Sequence, residues 1–288
     1  FFKQKTAYEI STRDWSSDVC SSDLGGSVEG FAELMNAKAK ELNLSNTNFV
    51  TPHGLDNENH YTTAYELAIM ADYGLKNKTF RSIVGTKNIT ININGKPRNL
   101  NNTNELLGSV SGVYGVKTGF TNGANRCLVS SCKRDNLDII TVVLGADTKK
   151  FRTQDSLKLI NYAMNNYKDI NVEKQINEEF EKWKKENKSS MYINKGIKEN
   201  AEVELEKLEN KYITIKNTQE NNIKIEINNI KKYEAPLTKG TVIGVVTVNV
   251  KGKTKLVVNI QASETIKRKN MLNYIKELLE KNINIWKS

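Results

Sequence analysis

Val113-Tyr114-Gly115-Val116-Lys117-Thr118-Gly119-Phe120 is the stretch on which the reading of this chain turns. Its β-branched and aromatic residues predict a strand, and two more runs of strand length follow, Arg126 to Cys132 and Leu137 to Leu144. The polar turn Lys133 to Asn136 joins those two, so the three runs predict an antiparallel meander. Near the end of its first strand stands Lys117-Thr118-Gly119. A strand glycine at 119 lets another backbone lie along the edge, while the Lys117 ammonium and the Thr118 hydroxyl can hold an anionic carboxylate.

Upstream, Val28, Phe31, Met35 and Leu42 follow helical spacing, and a short extended piece, Thr47 to Val50, comes next. Thr63 and Glu66 have the spacing of a capping box and announce a helix through Leu67, Ala68, Ala71 and Leu75. Ile89, Ile91 and Ile93 alternate into Asn94-Gly95, a two-residue hairpin turn. Downstream, a helix from about Thr153 to Tyr167 presents Leu157, Ile160, Met164 and Tyr167 on one face. Residues 169–190 read as a charge-dense helical linker. The period then changes to two, in Val203 and Leu205, Ile213 and Ile215, Ile223 to Ile227, and Val242 to Ile260 around Lys251-Gly252, which predicts a β-rich accessory domain over 191–262. The last segment, 263–288, sets Met271, Tyr274, Ile275, Leu278, Leu279, Ile285 and Trp286 against Lys276, Glu277, Glu280 and Lys281, an amphipathic helix. The fold class expected is therefore α+β, with helices and an antiparallel sheet over 25–168.

Composition narrows the function. With 288 residues, 38% hydrophobic and only 3 Pro, the chain is neither disordered nor fibrous. No run approaches the ~18 apolar residues of a membrane span. Cys20, Cys127 and Cys132 are too few and wrongly spaced for a disulfide framework or a four-ligand zinc site, and His53 and His60 are the only histidines. No metal and no cofactor is expected. The net charge of +10 favours an anionic surface, but the basic residues lack aromatic interleaving, so nucleic acid is not expected as a partner. Residues 1–24 differ from the Asn-, Lys- and Ile-rich remainder and resemble translated sequencing-adapter read-through. They are read as non-native, with the true chain starting near Gly25 inside a longer gene.

The tripeptide Lys117-Thr118-Gly119 occurs in penicillin-binding proteins and class A β-lactamases, and the resemblance extends to further blocks. Gly25 to Phe31, Asn48 to Asp56, His60 to Glu66 and Gly115 to Asn122 resemble consecutive segments of the low-molecular-mass penicillin-binding proteins, the serine-type D-alanyl-D-alanine carboxypeptidases. The β-rich domain and amphipathic tail are similar in order. The resemblance implies a penicillin-recognition (β-lactamase/transpeptidase-like) domain whose serine attacks the penultimate D-Ala carbonyl of a peptidoglycan stem peptide, with water hydrolysing the acyl-enzyme. It assigns substrate binding to Lys117, Thr118 and Gly119, with Phe120 as backbone oxyanion donor, and it puts a carboxylate-holding arginine at Arg152. It also implies β-lactam binding in a complete protein, and a place on the outer face of the bacterial cytoplasmic membrane, with the tail on its anionic surface and a signal peptide missing from this chain.

One departure is large. The family's Ser-x-x-Lys and Ser-x-Asn motifs belong upstream of Gly25; the sequence contains no Ser-x-Asn, and its one Ser-x-x-Lys, Ser130 to Lys133, lies on a predicted strand. The chemistry needs that serine at a helix start with the lysine one turn on, so the match reads as coincidence and the chain as an inactive fragment without a nucleophile. His53 and Asp56 read as a structural loop near the site. A class A β-lactamase relative lacks the β-rich appendage, and a non-catalytic wall- or membrane-binding module is the remaining alternative.

Overall fold

A computed structural model describes residues 23–187, 191–229 and 232–285, so nearly all of the adapter-like segment lies outside the described residues. The chain divides into two compact units between Asn165 and Asn166.

In the first unit, helix α1 (Val28–Glu41) is capped by Ser27, whose hydroxyl accepts from Gly30 N at 3.0 Å. Helix α2 (Ala64–Leu75) is capped in the same way by Thr63, which accepts from Glu66 N at 3.2 Å. Glu66 departs from the expected capping box. Its carboxylate, only 5% exposed, accepts instead from Asn46 N at 2.9 Å and from the Thr47 hydroxyl, tying α2 to the loop after α1. Burial pushes this carboxyl up, but the Thr47 and Asn46 hydrogen bonds outweigh it and hold the group below its ordinary value. Helix α3 (Lys78–Val84) leads into the hairpin of β1 (Asn88–Ile93) and β2 (Lys96–Asn101), turning at Asn94 and Gly95 with φ of 51° and 78°. Such a turn needs positive φ at both positions, which an Asn-Gly pair adopts readily.

The meander is present as strands β3 (Val113–Thr121), β4 (Asn125–Arg134) and β5 (Leu137–Ala146), antiparallel in the order β3-β4-β5. Alternating side chains build a core on each face. Leu128 and Cys132 pack with Leu106 and Ile160 on one side, and Val116 packs with Ala71 and Leu75 on the other. Helix α4 (Lys149–Asn166) covers the first face. It starts before the expected Thr153, and its buried residues are Arg152, Ser156 and Ile160, with Met164 packed alongside. Tyr167 belongs to the next strand. The expected face was displaced because two of its buried positions are polar and give no hydrophobic signal.

The second unit opens with strand β6 (Tyr167–Asn171) and helix α5 (Glu173–Glu186). Here the linker expectation is corrected: Val172 and Ile176 are 0% exposed and Phe180 4%, all within this unit's core. The charges that suggested a connector occupy the outer face of an amphipathic helix. Strands β7 (Tyr192–Asn194), β8 (Val203–Leu205), β9 (Tyr212–Lys216), β10 (Ile223–Asn229), β11 (Lys232–Glu234), β12 (Val242–Val250) and β13 (Lys253–Ala262) follow. Four form an antiparallel sheet in the order β10-β12-β13-β8, β6 pairs with β9, and β7 pairs in parallel with β11. Val246, Val248 and Ile260, each 0% exposed, fill the core between them. Helix α6 (Met271–Ile285) leaves its apolar residues in solvent: Met271 is 78% exposed, Leu272 73% and Leu278 62%. The side chains of Ile285 and Trp286 lie outside the described residues. Among the described residues no helix is long and apolar enough to cross a membrane.

Candidate active site

Strand β3 lies at the sheet edge, and a cleft of about 780 Å³ runs beside it. Lys117, Thr118, Gly119 and Phe120 line it from the strand, Thr103 and Glu105 from the loop after β2, His53 from the loop before α2, and Arg152 from α4. All the residues assigned by resemblance are thus brought together. Lys117 Nζ donates to its neighbour's carbonyl, Thr118 O, at 2.6 Å, and no carboxylate is within ion-pair distance among the described residues. Thr118 is 9% exposed, its hydroxyl 2.5 Å from that of Thr103. Gly119 is exposed, and a Cβ there would meet only Cys127 Cβ at 3.7 Å, so packing does not require the glycine. Phe120 stands at the rim with the Arg126 guanidinium 3.9 Å from its ring centre.

Arg152 is 3% exposed, not a solvated residue at a helix start. Its Nη2 lies 3.4 Å from Glu105 Oε2, and its buried Nε has no partner among the described residues. A buried guanidinium with an unsatisfied donor at a cleft wall is poised for an anion.

Two asparagines that sequence reasoning missed hold the Thr103–Glu105 segment of the wall. Asn104, 2% exposed, donates from Nδ2 to Gly115 O at 2.9 Å and accepts from Leu106 N at 3.1 Å. Asn102 accepts from Asn104 N at 2.9 Å and donates to Val84 O at 3.2 Å. Asn104 ties the Thr103–Glu105 wall to β3, and Asn102 ties it to the end of α3. In a chain so rich in asparagine, Asn102 and Asn104 offered no contrast; their place a few residues before Leu106-Leu107 was the available signal.

The Pro52-His53-Gly54-Leu55-Asp56 loop lacks a His/Asp pair. His53 Nδ1 accepts from Leu55 N at 3.2 Å, while Asp56 Oδ2 accepts from Gly123 N at 3.1 Å. Hydrogen bonds from Thr121 and Gly123 hold the Asp56 carboxyl below its ordinary value, so the aspartate fastens this loop to the β3–β4 turn. His60 packs edge-on to Phe49, and burial, with His53 nearby, pushes its imidazole down. Ser130 is 1% exposed in the middle of β4, opposite Val116 and Thr141. Lys133, three residues along the strand, points to the other face, so the two form no nucleophile pair. Cys127 and Cys132 are free thiols, and among the described residues no group of three ligating side chains could hold a metal.

An antiparallel sheet with helices on both faces and Lys-Thr-Gly on its edge strand defines a penicillin-recognition domain. A family profile described as D-alanyl-D-alanine carboxypeptidase matches residues 20–148, beginning slightly before Gly25. Another, described as the C-terminal domain of penicillin-binding protein 5, matches residues 178–268. The D-alanyl-D-alanine carboxypeptidase DacF of Bacillus subtilis is 33% identical over 257 residues, which cover 89% of this chain and 64% of that protein. DacA of Haemophilus influenzae is 32% identical over 249 residues, 84% of this chain and 59% of that protein. Among solved structures, penicillin binding protein 5 of Haemophilus influenzae superposes with a TM-score of 0.68 at 28% identity, over 87% of this chain and 70% of the other. Both units are thus similar to D-alanyl-D-alanine carboxypeptidases, the low-molecular-mass penicillin-binding proteins. The chain spans less than two thirds of the length of these two curated relatives.

Proposed function

We propose that the first unit is the Lys-Thr-Gly side of a D-Ala-D-Ala carboxypeptidase site, which removes the terminal D-Ala of peptidoglycan stem peptides through an acyl-serine intermediate. The observation that carries this reading is the cleft beside β3, where the exposed Lys117 and the buried, incompletely partnered Arg152 line one cavity. In this reading Lys117, Thr118 and Arg152 hold the substrate carboxylate. The substrate lies along the open edge at Gly119, and the Phe120 N–H supports the oxyanion of the tetrahedral intermediate. The attacking serine loses its proton to a neighbouring base, the penultimate D-Ala carbonyl becomes an ester, and D-alanine leaves with a proton. Water then cleaves the ester.

Among the described residues no serine stands at a helix start with a lysine three residues on, so in this reading the chain acts only when joined to sequence carrying Ser-x-x-Lys and Ser-x-Asn. By itself the chain is inactive, because loss of the nucleophile removes orders of magnitude of rate even where the oxyanion site survives. β-Lactams acylate the complete protein. The exposed apolar face of α6 supports peripheral binding to an anionic membrane surface on the extracytoplasmic side. The experiment is labelling with a fluorescent penicillin. The chain stays unlabelled, and the complete gene product is labelled at the serine of its Ser-x-x-Lys. Label on any serine of this chain, Ser130 included, refutes the assignment.

A further inference from the structure

The loop between β2 and β3 brings one acid into a cleft otherwise walled by bases. Among the described residues that line it, Lys117, Arg126, Lys149 and Arg152 are cationic and Glu105 is the one carboxylate. Its backbone is fixed, because the flanking Asn104 and Leu106 are each 2% exposed and Asn104 is bonded to β3. The Glu105 side chain is 50% exposed and stands between two unequal partners. The Thr153 hydroxyl donates to Oε2 at 2.6 Å, a short bond, whereas Arg152 Nη2 reaches the same oxygen at 3.4 Å, the outer limit of one. Arg152 therefore meets a carboxylate that Thr153 holds more firmly, and keeps its Nε unsatisfied.

We propose that Glu105 is a specificity-determining residue, a built-in competitor. Its carboxylate shields Arg152 in the empty cleft and retreats onto Thr153 when a ligand carboxylate arrives. The inference rests on the carboxylate-site reading proposed above. Two carboxylates at one guanidinium repel each other, so an anion that contacts Arg152 alone gains little. One that also reaches Lys117 gains a second charge-assisted bond and prevails. Glu105 thus sets the cleft against small anions and in favour of an extended peptide carboxylate, by a repulsive element as much as an attractive one.

The test uses the chain itself, Glu105→Gln and Thr153→Val, both near-isosteric. Each is titrated with N-acetyl-D-alanyl-D-alanine and with the same dipeptide as its C-terminal amide, following the backbone resonances of Thr118 to Phe120 by NMR. The unaltered chain binds the acid more tightly than the amide. Glu105→Gln raises affinity for the acid about three- to tenfold and leaves the amide unchanged. Thr153→Val removes the resting partner, leaves the carboxylate to Arg152, and lowers affinity for the acid. A merely structural role moves both variants in one direction. If no protein of the set distinguishes acid from amide, the carboxylate reading fails and this inference with it. If the unaltered chain prefers the acid but either variant lacks its stated shift, the competitor role is overturned and the carboxylate reading stands.

Discussion

Replacing Asn104 by alanine tests whether the cleft wall is built as described. The side chain is 2% exposed, and each end of its amide has one backbone partner, Gly115 O on β3 and Leu106 N in the loop. Alanine leaves both backbone groups buried without a partner. Each orphaned group costs about 1–3 kcal/mol, and the pair about 2–4 kcal/mol, because the loop relaxes enough to wet one of them in part. Exchange of an amide protected by local opening accelerates tenfold per ~1.4 kcal/mol, so the Leu106 N–H and the β3–β4 amides should exchange roughly 30- to 700-fold faster. The assay is native-state hydrogen exchange by NMR, with the amides of β12 and β13 in the other unit as reference. Asn104→Asp keeps the acceptor for Leu106 N but loses the donor to Gly115 O. It should therefore protect the Leu106 amide while loosening β3. An acceleration below about threefold in Asn104→Ala, or equal acceleration in β12 and β13, would refute the clamp.

Ile176→Ala empties a fully buried position of α5 and should cost about 2–5 kcal/mol in urea unfolding followed by Trp183 fluorescence, in a background where Trp15 and Trp286 are Phe. Glu178→Ala, a side chain 65% exposed on the same helix, should change stability by less than about 0.5 kcal/mol, and equal effects would restore the linker reading. The Asp56 carboxyl is held below its ordinary value, so its contribution is present above the ordinary carboxylate range and lost as pH falls through the lowered folded value. Asp56→Asn should flatten the acid limb of melting temperature against pH for the first unit, and an unchanged limb would remove the latch. Deleting the chain after Lys269 should abolish flotation with anionic vesicles. The 15 residues of α6 span only about 22 Å, short of the ~30 Å bilayer core, so binding should weaken with salt as at a surface. Equal flotation of both proteins would remove the anchor.

Much of the fold could be read in one dimension because its signals are local. The alternation in Val113 to Leu144, the Asn94-Gly95 turn and the Thr63 cap each depend on neighbours a few residues away. Lys117-Thr118-Gly119 was legible for the same reason, its chemistry lying in consecutive residues of one strand. Pairing across distance was hidden. Glu66 had the spacing to cap its own helix, and only the packing of the loop after α1 turned its carboxylate to Asn46 and Thr47. The charges of α5 concealed Ile176 and Phe180, whose partners lie on strands far along the chain.

The sequence by itself determined the antiparallel meander, the tripeptide on its first strand, the period-two segment and the amphipathic tail, because strand alternation and helical spacing are set by backbone geometry. Tertiary structure alone decided that Arg152 is buried with one free donor, that Glu105 stands beside it, and that Asn102 and Asn104 clamp the wall they share. Those facts depend on which polar groups lose water together when distant segments pack. Burial of that kind is a property of the assembled surfaces and has no period along the chain.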